Sequence, residues 1–491
     1  MIDEAGEARF RDVLARARAA ISAGAHAEAF ALLQGVGVDD DFIRQSRAAR
    51  CFERIETATL ALRPLRLAVL ASSTMDHFVP ILRFWLARAG FAAAVFIAPF
   101  DTVMPMVLEP GSDLYAFGPD IVWLFSSFRD HELTVAPGAD AAVGAAVDAA
   151  IAARRAIWTA LRRHFSGTII ENNADIPADD PFGNLAGAAP WGRRTLLRLY
   201  NAGLPAALPS GVAIFDLDHL AALWGRRRWT DPRYWFHSRH AFAPAASGHV
   251  AHAASRLVAA LRGTAKKCLV LDLDNTLWGG VAADDGIVGI ALGHGADGEA
   301  FVAFQRAIKA LGERGVILAA CSKNDHAVAT AILQDHPDCV LRPGDFAAFA
   351  VNWDNKADNI RSIAATLQIG LDAIVFVDDN PMERDIVRRH VPEVTVLDMP
   401  QDPALFVEAL LAPGWFDTAG FSPEDGARGQ AYAANAARAA LREHAIDMEA
   451  YLRGLAMVAA TAEADAFTRP RVAQLIHKSN QFHLTGTRYT E

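Results

Sequence analysis

Short apolar runs, each closing on small polar or acidic side chains, recur along the chain between stretches of helical periodicity. LRLAVLASS from Leu65, AAAVFIAPF from Ala92, DIVWLFSS from Asp120, GTIIE from Gly167 and GVAIFD from Gly211 each read as a buried strand. An amphipathic segment from Phe78 to Ala89 separates the first two. Strands alternating with helices predict a parallel sheet, here a first α/β domain over about residues 63–245. Ahead of it, residues 1–62 carry helical periodicity, with Phe10, Val13, Leu14 and Ala17 on one face, and form a helical lead-in. Residues 246–264 read as a linker running into a helix. A second strand series follows: CLVLDLD from Cys268, GVILAACSKND from Gly315, a short run Cys339 to Arg342, AIVFVDDNPMER from Ala373, and EVTVLDM from Glu393 as an edge strand. Helices are predicted between them over 300–314, 326–334 and 356–367. This second α/β domain spans 265–412, and residues 413–491 form a helical, Ala- and Arg-rich tail.

A chain of 491 residues suggests two or three domains rather than one core. Its 52% hydrophobic and 21% charged content fits a globular protein. A formal charge of −10 argues against a nucleic-acid binder and suits a small-molecule or protein partner. Four scattered cysteines without a CxxC pair exclude a zinc framework and point to a reducing, cytoplasmic setting. The charged N-terminus lacks the apolar core of a signal peptide, and no run of about 18 apolar residues predicts a membrane span.

The chemistry concentrates at the ends of the second strand series. Asp272 and Asp274, two apart after an apolar run, fall on one side of the chain. Held that close, two carboxylates need a cation, a proton or a phosphate with its metal. Ser322, Lys356, Asp378 and Asp379 close later segments, and in an open parallel sheet such ends converge on one site. Each then supplies a part of phosphoryl transfer. Asp272 is placed to attack phosphorus, and Asp274 to protonate the leaving oxygen and later deprotonate water. Ser322 can donate to a phosphoryl oxygen, and Lys356 can neutralise nucleophile and phosphate together. The carboxylates suit Mg²⁺, a hard cation. Asp272, Asp274 and Asp379 are the expected metal ligands, with Asn324 and Asp378 beside the cofactor.

DLDNT, the Ser of CSKND, the Lys of WDNK and VDDNP together resemble the four motifs of the haloacid dehalogenase superfamily. The longer forms LDLDNTLWGGV, CSKND and FVDDNPMER are similar to its FkbH-like branch, in subfamily IIIC. The resemblance covers about 265–490 and implies a haloacid dehalogenase Rossmann-like domain with a minimal cap. It also implies a place in polyketide or related natural-product pathways. There the substrate would be 1,3-bisphosphoglycerate or a related phosphorylated three-carbon acid, and the glyceryl unit would pass to the phosphopantetheine thiol of an acyl carrier protein. The first α/β domain resembles the SGNH/flavodoxin-like region of the longer members. Ser72, Ser73, Thr74, Asn172, Asn173, Asp231, His237 and His240 lie at or after its strand ends, but no GDS motif and no Asp–His pair accompanies them, so it reads as non-catalytic.

Only 47 residues separate Asp274 from Ser322 and 33 separate Ser322 from Lys356. Neither gap holds more than a short flap, expected over 277–292, which leaves the mouth open to a large substrate. A plain Mg²⁺-dependent phosphatase acting on a small phosphoester is the alternative reading. Cys321, one residue before Ser322, is a further candidate, as a thiolate that accepts the acyl unit. The final stretch QLIHKSNQFHLTGTRYT resembles the linker into an acetyltransferase-like domain, and the expectation is that this domain is absent or the sequence is truncated. Its His477, Lys478, Asn480 and Gln481 are expected to be structural.

Overall fold

A computed structural model of the chain describes residues 4–444. The expectations for the final stretch, residues 445–491, therefore lie outside the described residues. The described residues up to Gly429 form one compact unit, and a second begins at Gln430, inside the helix Arg428–His444. Among the described residues, no helix is long and apolar enough to cross a membrane.

The first sheet contains β1 (Arg63–Ala71), β2 (Phe91–Ile97), β3 (Ile121–Phe125), β4 (Thr168–Asn172) and β5 (Val212–Phe215), all parallel, in the order β2-β1-β3-β4-β5. That is the flavodoxin-like order of a doubly wound sheet. Period-two alternation decides which core each side chain joins. Leu65, Leu67, Val69 and Ala71 of β1 pack with Ile121, Trp123 and Phe125 of β3 on one face. Ala68, Leu70, Val122 and Leu124 pack on the other. The first face is covered by the helix Val79–Arg88 and by helices of the N-terminal segment (Glu4–Ser22, His26–Leu33, Phe42–Phe52). The second is covered by Val143–Leu161 and Arg193–Ala207.

Within residues 246–264, read as a linker running into a helix, the helix Ser247–Leu261 takes up most of the stretch and lies against Val79–Arg88. Val250, Ala251, Ala254 and Val258 are buried in the first core, at the i, i+1, i+4, i+8 spacing of an inward stripe. Its small residues make it read as a spacer in sequence, yet they are what lets two helices approach closely.

The second sheet holds β6 (Cys268–Leu271), β7 (Ile317–Ser322), β8 (Ala348–Val351), β9 (Ile374–Val377) and β10 (Thr395–Val396) in the order β10-β9-β6-β7-β8, also all parallel. This is the Rossmann order, and the chain changes winding direction between β6 and β9. The run Cys339 to Arg342 does not form a strand; β8 lies further on. The backbone N–H groups of Val340 and Leu341 donate to the buried Gln305 side chain at 2.8 and 3.1 Å, so no sheet partner is needed.

Candidate active site

The switch point between β6 and β9 collects the acidic residues. Asp272 follows β6 and its N–H donates to the Val377 carbonyl at 2.9 Å, which holds the ends of the two strands level. Asp378 and Asp379 follow β9, and Ser322 closes β7. Lys356 opens the helix Lys356–Leu367, whose N-cap Asn355 accepts from the Ala357 N–H. Lys356 is almost fully buried. Its ammonium lies 2.9 Å from Asp272 Oδ2 and 2.6 Å from Asp378 Oδ2, so one cation sits between two carboxylates. Burial alone would lower the Lys356 pKa, but Asp272 and Asp378 prevail and raise it. Burial, with the Asp272 charge second, raises Asp378 and Asp379.

Asp272, Asp378 and Asp379 each bring a carboxylate oxygen within 4.8 Å of the others. Asp272 Oδ1 is buried without a hydrogen-bond partner. An orphaned anionic oxygen in an all-carboxylate cluster fits a hard divalent cation. Asp378, expected beside the cofactor, is one of the three, and Asp274, expected as a ligand, is not. Asp274 is turned to other partners: its Oδ1 accepts from Trp278 Nε1 at 2.9 Å and from the Ala282 N–H at 3.1 Å, and its Oδ2 accepts from Asn324 Nδ2 at 3.0 Å. Burial raises the Asp274 pKa, Ala282 and Trp278 oppose this, and the Asp272 charge adds to it. Asn324, expected near a cofactor, thus holds Asp274.

The flap runs from Leu277 to Leu292. It contains the helical segment Ala282–Gly289, broken at Gly286, and is closed by a bridge between Gly279 and Ala291. Asn275 starts it in the left-handed region at φ 53°, a conformation Asn tolerates better than most residues, and its Oδ1 accepts from the Gly280 N–H at 2.9 Å.

Asp272, Asp274, Ser322, Lys356 and Asp379 line one pocket of about 190 Å³. Four further lining residues were not anticipated: Asn275, Lys323, Asn380 and Glu383. Lys323 and Glu383 form an ion pair of 2.7 Å at the rim. Their positions directly after Ser322 and within DDNPMER were the available signal. Asn380 caps the helix Pro381–His390 by accepting from the Met382 N–H.

Cys321 is not in the pocket, which corrects the acceptor-thiol expectation. Alternation along β7 turns it away from Ser322, it is fully buried, and its Sγ faces the Lys356 carbonyl at 3.9 Å. Burial pushes the thiol up to about 12, so the reactive thiolate is suppressed.

In the first domain two of the strand-end residues have partners within the fold. Asn172 accepts from Trp123 Nε1 at 2.7 Å and donates to the Ser126 carbonyl, and Asp231 caps the helix Pro232–Ser238 and pairs with Arg233.

Among solved structures, the chain is similar to a crystal structure of the N-terminal part of the protein BF1531 from Bacteroides fragilis, described as containing a phosphatase domain complexed with Mg. The two are 32% identical over 78% of this chain and 100% of that one, with a TM-score of 0.68. The chain belongs to the haloacid dehalogenase-like phosphatase family. No family model and no curated protein matches it. In haloacid dehalogenase-like terms, the four motif segments are those that close β6, β7 and β9 and open the helix at Lys356.

Proposed function

We propose that the chain is an Mg²⁺-dependent phosphatase of the FkbH-like branch. In this reading it removes phosphate from a phosphorylated three-carbon acid such as 1,3-bisphosphoglycerate and delivers the glyceryl unit to the thiol of an acyl carrier protein. The observation that carries the phosphatase part is Asp272: it sits in the pocket with one oxygen on Lys356 and the other buried and unpartnered. Asp272 would attack phosphorus, and Asp274 would give its proton to the departing oxygen. Asp274 would then take a proton from the water that cleaves the aspartyl-phosphate. Ser322 and Lys356, which line the pocket, would hold the transferred oxygens. Mg²⁺ at Asp272, Asp378 and Asp379 would neutralise the charge that gathers on the phosphoryl group.

The plain phosphatase reading gains from the burial of Cys321, because that cysteine cannot hold an acyl group in the pocket. Any glyceryl transfer would go directly to the carrier's thiol. Two measurements separate the readings. Wild-type protein with Mg²⁺ should release phosphate from acetyl phosphate, and Asp272→Asn should lower kcat by at least about a thousandfold; a variant of near-normal activity would remove Asp272 from the mechanism. Incubation with 1,3-bisphosphoglycerate and holo-carrier protein should add a glyceryl mass to the pantetheine arm. Phosphate release with no mass gain would leave a phosphatase alone.

A further inference from the structure

Lys323 and Lys356 line the phosphate pocket, and Arg384 lines a groove beside it. Lys356 is taken by Asp272 and Asp378, and Lys323 by Glu383. Arg384 differs from both, because among the described residues it forms no ion pair with a carboxylate. It sits one turn into the helix Pro381–His390. A cation this close to a helix N-terminus opposes the helix dipole, so helix stability does not account for it.

The hydrogen bonds of Arg384 show which part of it is spoken for. Its Nη1 donates to the carbonyls of Asp378 and Asp379 at 2.7 Å each, which fixes the plane of the guanidinium. The other edge is uncommitted. Nε is buried without a partner, and Nη2 makes no hydrogen bond among the described residues. Nε and Nη2 point the same way and form the fork that takes two oxygens of a carboxylate or a phosphate. A clamp on two carbonyls uses one nitrogen; it leaves the charge and this edge unexplained.

The groove has a volume of about 760 Å³ and shares Asn275 and Asp379 with the phosphate pocket, so one small molecule can reach into both. Its two carboxylates leave the Arg384 charge available. Asp379 belongs to the cation cluster, and Asp297 is exposed, where solvent and salt screen it.

We propose that Arg384 seats a second anionic group of the substrate, a carboxylate or a phosphate close to the ester that is cleaved. The site then selects small phosphoesters with two anionic groups over those with one. This role rests on the phosphatase reading, to which it adds the residue that recognises the rest of the substrate. Arg384 acts in selection and takes no part in the phosphoryl transfer itself.

The test uses the full chain with Mg²⁺ and three phosphoesters of one carbon skeleton. Glycerol 3-phosphate lacks the second anion, 3-phosphoglycerate supplies it as a carboxylate, and glycerol 1,3-bisphosphate as a phosphate. At least one of the two doubly anionic esters should exceed glycerol 3-phosphate in kcat/KM by about tenfold or more, and the larger gain identifies the group. Arg384→Gln should cut that ratio at least about fivefold. The ratio is the readout because a loosened Asp378–Asp379 loop would slow all three esters alike. A ratio near one in the wild type overturns the proposal, as does a ratio that Arg384→Gln leaves unmoved. Should Arg384→Gln not fold, Arg384→Lys keeps the charge without the planar fork and should lower the ratio at least about threefold; an unchanged ratio overturns the proposal. If no ester is hydrolysed, the phosphatase reading fails and calorimetric binding to the Mg²⁺-loaded wild type decides the rest. A doubly anionic ester that binds at least about tenfold more tightly than glycerol 3-phosphate, with the difference lost in the variant, keeps the seat. Equal binding sinks it.

Discussion

Asp274 depends on a neighbour whose importance lies in one hydrogen atom. Trp278 is fully buried, and its indole N–H reaches Asp274 Oδ1, which also accepts the Ala282 N–H. An oxygen has two lone pairs, so Oδ1 is committed and the transferable proton must reside on Oδ2. Trp278→Phe keeps most of the ring volume and removes one of the two donors on Oδ1, so the proton is no longer confined to Oδ2. The effect should depend on the leaving group. Hydrolysis of an alkyl phosphate, which needs the proton, should slow by about tenfold or more. Hydrolysis of p-nitrophenyl phosphate, which leaves readily as an anion, should slow far less. An equal loss on both would mean that Trp278 serves only packing. Asp272, Asp274, Ser322 and Lys356 were legible as a group because each follows an apolar run or opens a helix at a strand end. Trp278 was not, because a Trp in an apolar stretch reads as core until its N–H is seen to face a carboxylate.

At the scale of elements, one glutamine joins two loops that sequence reasoning handled differently. Gln305, on the helix Gly295–Glu313, is fully buried. Its Nε2 donates to the Leu277 carbonyl at 2.8 Å, at the root of the flap, and its Oε1 receives the N–H groups of Val340 and Leu341. The run Cys339 to Arg342 looks like a strand because it is apolar and short, and hydrophobicity cannot reveal that a side chain has taken the place of a neighbouring strand. The true strand β8, Ala348–Val351, is short and only Val351 is buried, so its signal was weak. The extent of the helix 247–261 was obscured for a related reason, since small residues carry little periodic contrast. Gln305→Leu keeps the volume but leaves two buried N–H groups and one carbonyl unpaired. It should destabilise the protein by about 2–4 kcal/mol, measured as a lowered urea midpoint at unchanged slope. A loss below about 0.5 kcal/mol would show that water or a backbone shift replaces the side chain.

The whole molecule should be acid-sensitive through its first domain. His77, His131 and His252 are each held down to about 3, burial being the largest cause. The ring of His77 stacks on His240 at 3.8 Å and neither of its nitrogens has a partner. His131 leans on Tyr200, and His252 lies beside Trp85 with Arg88 and Arg256 near. A histidine near 3 in the fold but near 6.5 unfolded is neutral in the fold when the unfolded chain is already charged. The unfolded state then binds more protons, so stability is full above about pH 6.5 and falls as pH drops towards 3. In mid-window each histidine removes about 1.4 kcal/mol per pH unit. Asp175 works the other way: burial raises it to about 6, so between pH 6 and 3.8 its protonation favours the fold and offsets about one histidine. His77→Leu, which places an apolar side chain near Phe42 and Phe242, removes one titrating group without an unpaired polar atom. Unfolding free energy measured from pH 6.5 to 4.5 should therefore fall less steeply in the variant, by about 1.4 kcal/mol per pH unit. If the two slopes coincide, His77 takes up its proton in the folded state at an ordinary pH, and the cost of burying it neutral is not what limits stability in acid.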